Sequence, residues 1–218
     1  MHTQFLTSAS DARQFPPSGV PEIAFLGRSN VGKSSLINAL LGEKVAKTSS
    51  TPGRTRTINF FAVRRHGQPK PEFVFADLPG YGYAKLSREV TAEWPKFIEP
   101  YLEKRPNLAL CIVLVDSNIA PQASDTQMIV WLKHTGRPFL VVGTKSDRIS
   151  GNALTNNVTA LIKSHGVDRI LPFSTKTGKG KDELWAEIRL AAERLAGGGG
   201  EELPTPPPMK TGTSGTQQ

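Results

Sequence analysis

Gly27-Arg28-Ser29-Asn30-Val31-Gly32-Lys33-Ser34 decides the fold. The stretch fits G-x-x-x-x-G-K-[ST], with an apolar strand candidate, Glu22–Leu26, before it and a helical pattern, Lys33–Leu41, after it. Glycines at these places let the backbone curl, so that successive N–H groups converge on phosphate oxygens at a helix N-terminus whose dipole also favours anions. In that arrangement Lys33 would reach the β- and γ-phosphates, and the Ser34 hydroxyl would ligate Mg²⁺. A chance match in a chain of this length is on the order of 1 in 100. Arg28, Ser29, Asn30 and Val31 would line the same loop.

Outward from the loop, short apolar runs alternate with longer helical patterns. Strand candidates are Glu22–Leu26, Arg56–Arg65, Glu72–Asp77, Leu108–Asp116, Pro138–Thr144 and Arg169–Ser174; several are continuous Val/Ile/Leu/Phe runs of the kind buried on both faces. Helix candidates are Lys33–Leu41, Arg88–Lys104, Ser124–His134, Ala153–Ser164 and Lys181–Leu195. The pattern predicts a mostly parallel sheet with about five helices on its two faces. Only Phe60–Arg65 and Phe73–Asp77, joined by His66-Gly67-Gln68-Pro69-Lys70, lack a helix between them, so that pair should be antiparallel. Pro95 and Pro100 should kink or divide the Arg88–Lys104 helix. Residues 1–20 carry no clear period and read as a loosely ordered arm, residues 21–196 as one nucleotide-binding domain, and residues 197–218, rich in Gly, Pro, Ser and Thr, as a disordered tail.

Two later motifs gain meaning from position. Asp77-Leu78-Pro79-Gly80 is a D-x-x-G at a strand's carboxyl end, a pattern that composition alone produces in roughly half of such chains. Beside the phosphate loop, Asp77 can hold Mg²⁺ through water and the Gly80 N–H can touch a γ-phosphate. Thr144-Lys145-Ser146-Asp147 also ends an apolar strand and resembles the [NT]-K-x-D base-recognition motif of GTPases. A carboxylate at Asp147 accepts from both the ring N–H and the exocyclic amine of guanine, which adenine does not offer in that arrangement. Lys145 would lay its stem along the purine. Ser174-Thr175-Lys176, after the last strand and next to Phe173, resembles the short loop of GTPases whose backbone contacts the guanine carbonyl, which makes Phe173, Ser174 and Thr175 candidate contacts.

Between the first helix and the hairpin, Ser49-Ser50-Thr51-Pro52-Gly53-Arg54-Thr55-Arg56-Thr57 is too rich in Pro, Gly, Ser and Thr to be regular. Thr55 is the candidate to close over Mg²⁺ and the γ-phosphate, with Thr51 and Thr57 as rivals; loss of the γ-phosphate would release the loop. After D-x-x-G the residues are Tyr81-Gly82-Tyr83, with no glutamine to orient water. Intrinsic hydrolysis should therefore be slow, roughly 10⁻⁴ to 10⁻³ s⁻¹. Arg54 and Arg56 are candidate charge donors or RNA-facing cations. Asn30 is placed as in potassium-activated GTPases, where K⁺ supplies positive charge beside the phosphates.

Taken in order, G-R-S-N-V-G-K-S, S-S-T-P-G-R-T, D-L-P-G-Y-G-Y-A and T-K-S-D resemble the EngB (YihA/YsxC) family of bacterial GTPases over about residues 20–195. Arg56 stands where that family's T-P-G-R-T-Q pattern has glutamine. The resemblance implies a P-loop GTPase fold of three layers, with a six-stranded sheet holding one antiparallel strand. It also implies a part in assembling the large ribosomal subunit and a requirement in cell division and septation. Composition is compatible with an RNA partner. The formal net charge is +8, and residues 43–70 hold seven Lys/Arg (Lys44, Lys47, Arg54, Arg56, Arg64, Arg65, Lys70) against Glu43 alone.

Other classes are excluded or set aside. The longest apolar run, Leu108–Val115, is far below the roughly 18 to 20 residues of a membrane span, and nothing resembles a signal peptide. A cytoplasmic, monomeric protein is expected. The single cysteine, Cys111, excludes disulfide and cysteine-zinc frameworks and reads as a buried hydrophobe. The rival functional reading is a nucleotide-gated module that captures a division-site protein, with hydrolysis incidental.

Overall fold

A run of eight apolar residues followed by aspartate can form a strand only where both its faces are covered, and Leu108–Asp116 (β5) is buried at every position. The computed structural model of the chain describes residues 1–46, 57–81 and 98–197. Seven strands form one sheet: β1 (His2–Ala9), β2 (Glu22–Gly27), β3 (Ile58–Arg64), β4 (Phe73–Asp77), β5, β6 (Phe139–Thr144) and β7 (Leu171–Pro172), in the order β1-β3-β4-β2-β5-β6-β7. The helices are α1 (Lys33–Leu41), α2 (described at 98–104), α3 (Ala123–His134), α4 (Gly151–His165) and α5 (Lys181–Gly197).

Side-chain alternation divides the core into two layers around the sheet. Cys111, Val113 and Val115 of β5 face Met128, Ile129 and Leu132 of α3, together with Tyr101 of α2 and Leu161 of α4. Leu110, Ile112 and Leu114 face Leu36 and Leu40 of α1 and Leu184 and Ile188 of α5. A one-residue slip would exchange these sets, so the two-sided burial fixes the register. Trp185 stacks on Phe75 with ring centroids 5.7 Å apart. Cys111 is wholly buried, and desolvation pushes its thiol up to about 12, so it is a packing residue.

β4, β2, β5, β6 and β7 are parallel, and β3 alone runs against them, paired with β4 through the turn at Gly67. One antiparallel strand was expected, and one is present. The strand count is seven rather than six, because the segment expected to be a loose arm contributes β1, paired antiparallel to β3. A register shift between Phe5 and Thr7 leaves Leu6 as an extra residue, which breaks the period of two and hides the strand in the sequence. The rest of the arm is also fixed: the Phe15 ring packs edge-on to Tyr101 at 5.3 Å, and the Pro16 carbonyl accepts from Arg105.

The last strand is shorter than the expected Arg169–Ser174. Only Leu171 and Pro172 pair with β6, since proline brings no N–H to the ladder. α5 runs to Gly197; the tail beyond it, like the part of the Arg88–Lys104 segment that holds Pro95, lies outside the described residues.

Candidate nucleotide site

The carboxyl ends of β2, β4, β5 and β6 open on the same edge of the sheet, and the chain leaves β2 there as the glycine-rich loop. Gly32 caps α1 with φ +107, a left-handed conformation that favours glycine. The positive end of α1 thus faces the loop's interior. Lys33, the first residue of α1, is ion-paired with Asp77 at the end of β4. Both are nearly buried, so the cation and the carboxylate predicted to flank the phosphates are brought into contact. Ser34 follows in the first turn, half-buried.

D-x-x-G is fastened to the phosphate loop by backbone. The Leu78 N–H donates to the Phe25 carbonyl at 3.2 Å, the Tyr81 N–H to Gly27 at 3.3 Å, and the Ser29 N–H to Tyr81 at 3.4 Å. Gly80 is forced by proximity, since a Cβ there would lie 2.9 Å from the Ser29 nitrogen. Pro79 lies between them.

The base-recognition motif is tied to the phosphate loop as well. Thr144 Oγ1 lies 2.7 Å from the Val31 carbonyl and 3.1 Å from that of Val115, able to donate to either. Lys145 has φ +59 and reaches across the site: its ammonium donates to Asp116 Oδ2 at 2.6 Å and to the Asn30 carbonyl at 3.1 Å. Burial alone would raise the Asp116 carboxyl, but hydrogen bonds from Lys145 and Asn118 outweigh it and hold the group below its ordinary value. Ser146 is buried and donates its N–H to the Phe173 carbonyl at 3.2 Å.

Ser174 Oγ donates to Asp147 Oδ1 at 2.7 Å and accepts from the N–H groups of Lys176 and Thr177 at 3.2 and 3.1 Å. That hydrogen bond, foremost, keeps the Asp147 carboxyl below the usual aspartate value. Thr175 is exposed beside it. The Ser174 loop is therefore joined to the T-K-S-D carboxylate.

Some expected residues fall elsewhere. Gly53, Arg54, Thr55 and Arg56, with Thr51, lie outside the described residues; Thr57 precedes β3, half-buried. The basic stretch is not one patch at the site: Asn59 of β3 pairs with Asp77, whereas Val63 pairs with Phe73, so Arg64, Arg65 and Lys70 lie at the far end of the strand, roughly 20 Å away. Arg65 is there paired with Glu72 at 2.6 Å.

Sequence reading also missed contributors. Asp116 ends an apolar strand as Asp77 does, and that shared position was its signal. Asn38 accepts from the Val45 and Ala46 N–H groups at 3.0 and 2.8 Å, fixing the chain before the Pro/Gly/Thr-rich segment; nothing in its local pattern marks it. His165, near the C-terminus of α4, is buried against Thr126, and desolvation lowers its pKa. Among the described residues no cluster of three His, Cys, Asp or Glu is built to hold a metal, and no helix is long and apolar enough to cross a membrane.

A three-layer sheet with a glycine-rich loop at a helix N-terminus, D-x-x-G on the adjacent strand and T-K-S-D two strands over defines a P-loop GTPase. A family model described as a 50S ribosome-binding GTPase matches residues 22–145. The chain is 62% identical over 190 residues to a probable GTP-binding protein EngB of Koribacter versatilis, covering 87% of this chain and 94% of that protein. It is 59% identical over 195 residues to the probable EngB of Acidobacterium capsulatum, covering 88% and 92%. A crystal structure of a probable GTP-binding protein EngB superposes with a TM-score of 0.64 at 25% identity, covering 79% of this chain and 99% of that one. Era in complex with MgGDPNP and nucleotides 1506–1542 of 16S ribosomal RNA gives 0.64 at 26% identity, covering 88% and 59%. The chain belongs to the EngB family of GTP-binding proteins.

Proposed function

We propose that this GTPase is a nucleotide-switched factor in assembly of the large ribosomal subunit, docking on a precursor particle or its rRNA when GTP-bound and leaving after a slow hydrolysis. The observation that carries the reading is the joining of both ends of a guanine-nucleotide site on one sheet edge: Lys33 against Asp77 at the phosphate end, Asp147 preset by Ser174 at the base end. The loop Gly27, Arg28, Ser29, Asn30, Val31, Gly32 would cradle the phosphates, with Lys33 on the β- and γ-oxygens and the Gly80 N–H on the γ-phosphate. Asp147 would select guanine by accepting twice from its edge.

One hydroxyl and one carboxylate suit Mg²⁺, a hard cation that keeps waters and leans on substrate phosphates. Ser34 and Asp77 would hold it, with Thr55 closing over it; bound, it would neutralise developing charge on the transferring phosphoryl group. The chain offers no glutamine after Gly80, so positioning and charge do the work and the unassisted rate is of the order of 10⁻⁴ to 10⁻³ s⁻¹. Asn30, exposed at the loop's mouth with φ +65, is the proposed K⁺ ligand. Hydrolysis should be faster in KCl than in NaCl at equal ionic strength; equal rates remove this assignment.

The ribosomal reading is supported by the wording of the matched family and by the RNA-bound Era neighbour. On this reading the protein acts in the cytoplasm as a monomer and is needed for normal cell division and septation. The rival reading, a GTP-gated module that captures a division-site protein, rests on the resemblance alone. Gradient sedimentation separates them. With a non-hydrolysable GTP analogue the protein should co-migrate with large-subunit particles, and with GDP it should stay at the top. Protein at the top in both states favours the division-site module.

A further inference from the structure

Away from the groups that face the nucleotide, one buried polar cluster joins the phosphate loop to the second helical layer. Arg28 and Tyr81 are backbone partners in an isolated parallel bridge. Their side chains meet a third group: Arg28 Nε donates to Asp125 Oδ2 at 3.1 Å, and the Tyr81 hydroxyl faces the same carboxylate. Asp125 stands in the first turn of α3 and is only 1% exposed. Behind it His165 of α4 hydrogen-bonds Thr126 at 2.8 Å and faces Asp125.

A carboxylate this deep is tolerated only with partners. Burial raises the Asp125 carboxyl, opposed by Arg28 and Tyr81; burial and the Asp125 charge together push the Tyr81 hydroxyl well above its ordinary value, so it remains a proton donor. No titration is needed for the argument.

We infer that Asp125 and Tyr81 are positioning residues for the triphosphate state. With Arg28 they pin Tyr81, and through its backbone the Gly80 peptide, against the phosphate loop. The geometry requires such an anchor. Gly80 approaches Ser29 so closely that a Cβ would meet its nitrogen at 2.9 Å. Yet the two hydrogen bonds that hold Tyr81 to the loop are 3.3 and 3.4 Å, at the long end of the range and weak. The side-chain anchor from α3 makes up that deficit. A diphosphate has no γ-oxygen for the Gly80 N–H to meet, so the anchor acts on GTP and its hydrolysis and leaves GDP binding alone. Because the same carboxylate is rooted in α3 and backed by α4, those helices bias how readily residues 77–81 close. This inference rests on the nucleotide-site reading above.

The test uses the full chain, wild type against Tyr81→Phe, Asp125→Asn and the double variant. Affinities for GDP and a non-hydrolysable GTP analogue are measured, with single-turnover GTP hydrolysis. Each single change should weaken the analogue and slow hydrolysis by about tenfold, with GDP affinity within about twofold. The double variant should be no worse than the worse single, since both act through one contact. Equal loss for GDP and analogue, no change for either, or multiplied losses in the double variant would overturn it. Tyr81→Phe removes one oxygen without altering shape, and carries the test alone if Asp125→Asn does not fold. Absence of GDP binding by the wild type would instead refute the nucleotide site beneath the inference.

Discussion

Asp147 accepts a hydrogen bond from a hydroxyl 27 residues away in sequence, Ser174 Oγ at 2.7 Å, which lowers its pKa. Because its pKa lies below the ordinary value, guanine recognition should persist into acid and fail only as pH drops through that lowered value. In Ser174→Ala the carboxyl returns upward, so the acid limb of GDP affinity should move to higher pH; a pH series of titrations reads it, and an unmoved limb would break the assignment. Gly80→Ala meets Ser29 backbone that cannot swing aside. It should cost about 1–3 kcal/mol in urea unfolding and slow GTP hydrolysis at least tenfold or thereabouts. Lys33, Asp77 and Asp147 were legible because each lies at or just past a place that the strand and helix pattern defines: the start of α1, the end of β4 and the loop after β6. Asn38 and Asp125 take their meaning from partners 7 and 97 residues distant, Val45 for Asn38 and Arg28 for Asp125, and no local pattern encodes such a pairing.

Strands and helices with two-sided or three-and-four patterns were read to within a few residues, as Lys33–Leu41 and Leu108–Asp116 illustrate. β1 escaped because an edge strand covers little: most of it is exposed, Leu6 interrupts its alternation, and its order comes from β3 and from the Phe5–Phe61 ring contact at 5.7 Å. Being peripheral, it should be separable from the site. Removing residues 1–8 should cost about 1–2 kcal/mol of backbone and ring contacts, a fall of about 2–8 °C in Tm, with GDP affinity unchanged. A loss of GDP affinity would mean that β3 transmits strain to Asp77 through its pairing with Asn59. Trp185→Ala, which empties the contact of α5 with Phe75, should cost about 3–5 kcal/mol, read by the same urea melts.

At the scale of the molecule, the proposed nucleotide site lies at one edge of the sheet and the hairpin cations Arg64, Arg65 and Lys70 at the other, joined by β3. Composition announced the basic excess but not that Arg64, Arg65 and Lys70 lie at the end of β3 away from Asp77, which depends on strand direction. If the hairpin touches rRNA phosphates, Arg64→Gln with Lys70→Gln should reduce the slope of log affinity against log salt by about 1 to 2 and leave nucleotide binding unchanged. An unchanged slope would remove the hairpin from the interface. The expectations for nucleotide affinity and hydrolysis presume a guanine-specific site at the carboxyl edge. Displacement of a fluorescent GDP by unlabelled GTP or ATP, in the wild type and in Asp147→Ala, tests it most directly. GTP should displace the probe and ATP should not, with Asp147→Ala weakened about a hundredfold by the loss of two charge-assisted hydrogen bonds. Equal displacement by ATP, or an Asp147→Ala variant that binds GDP as the wild type does, would contradict the account.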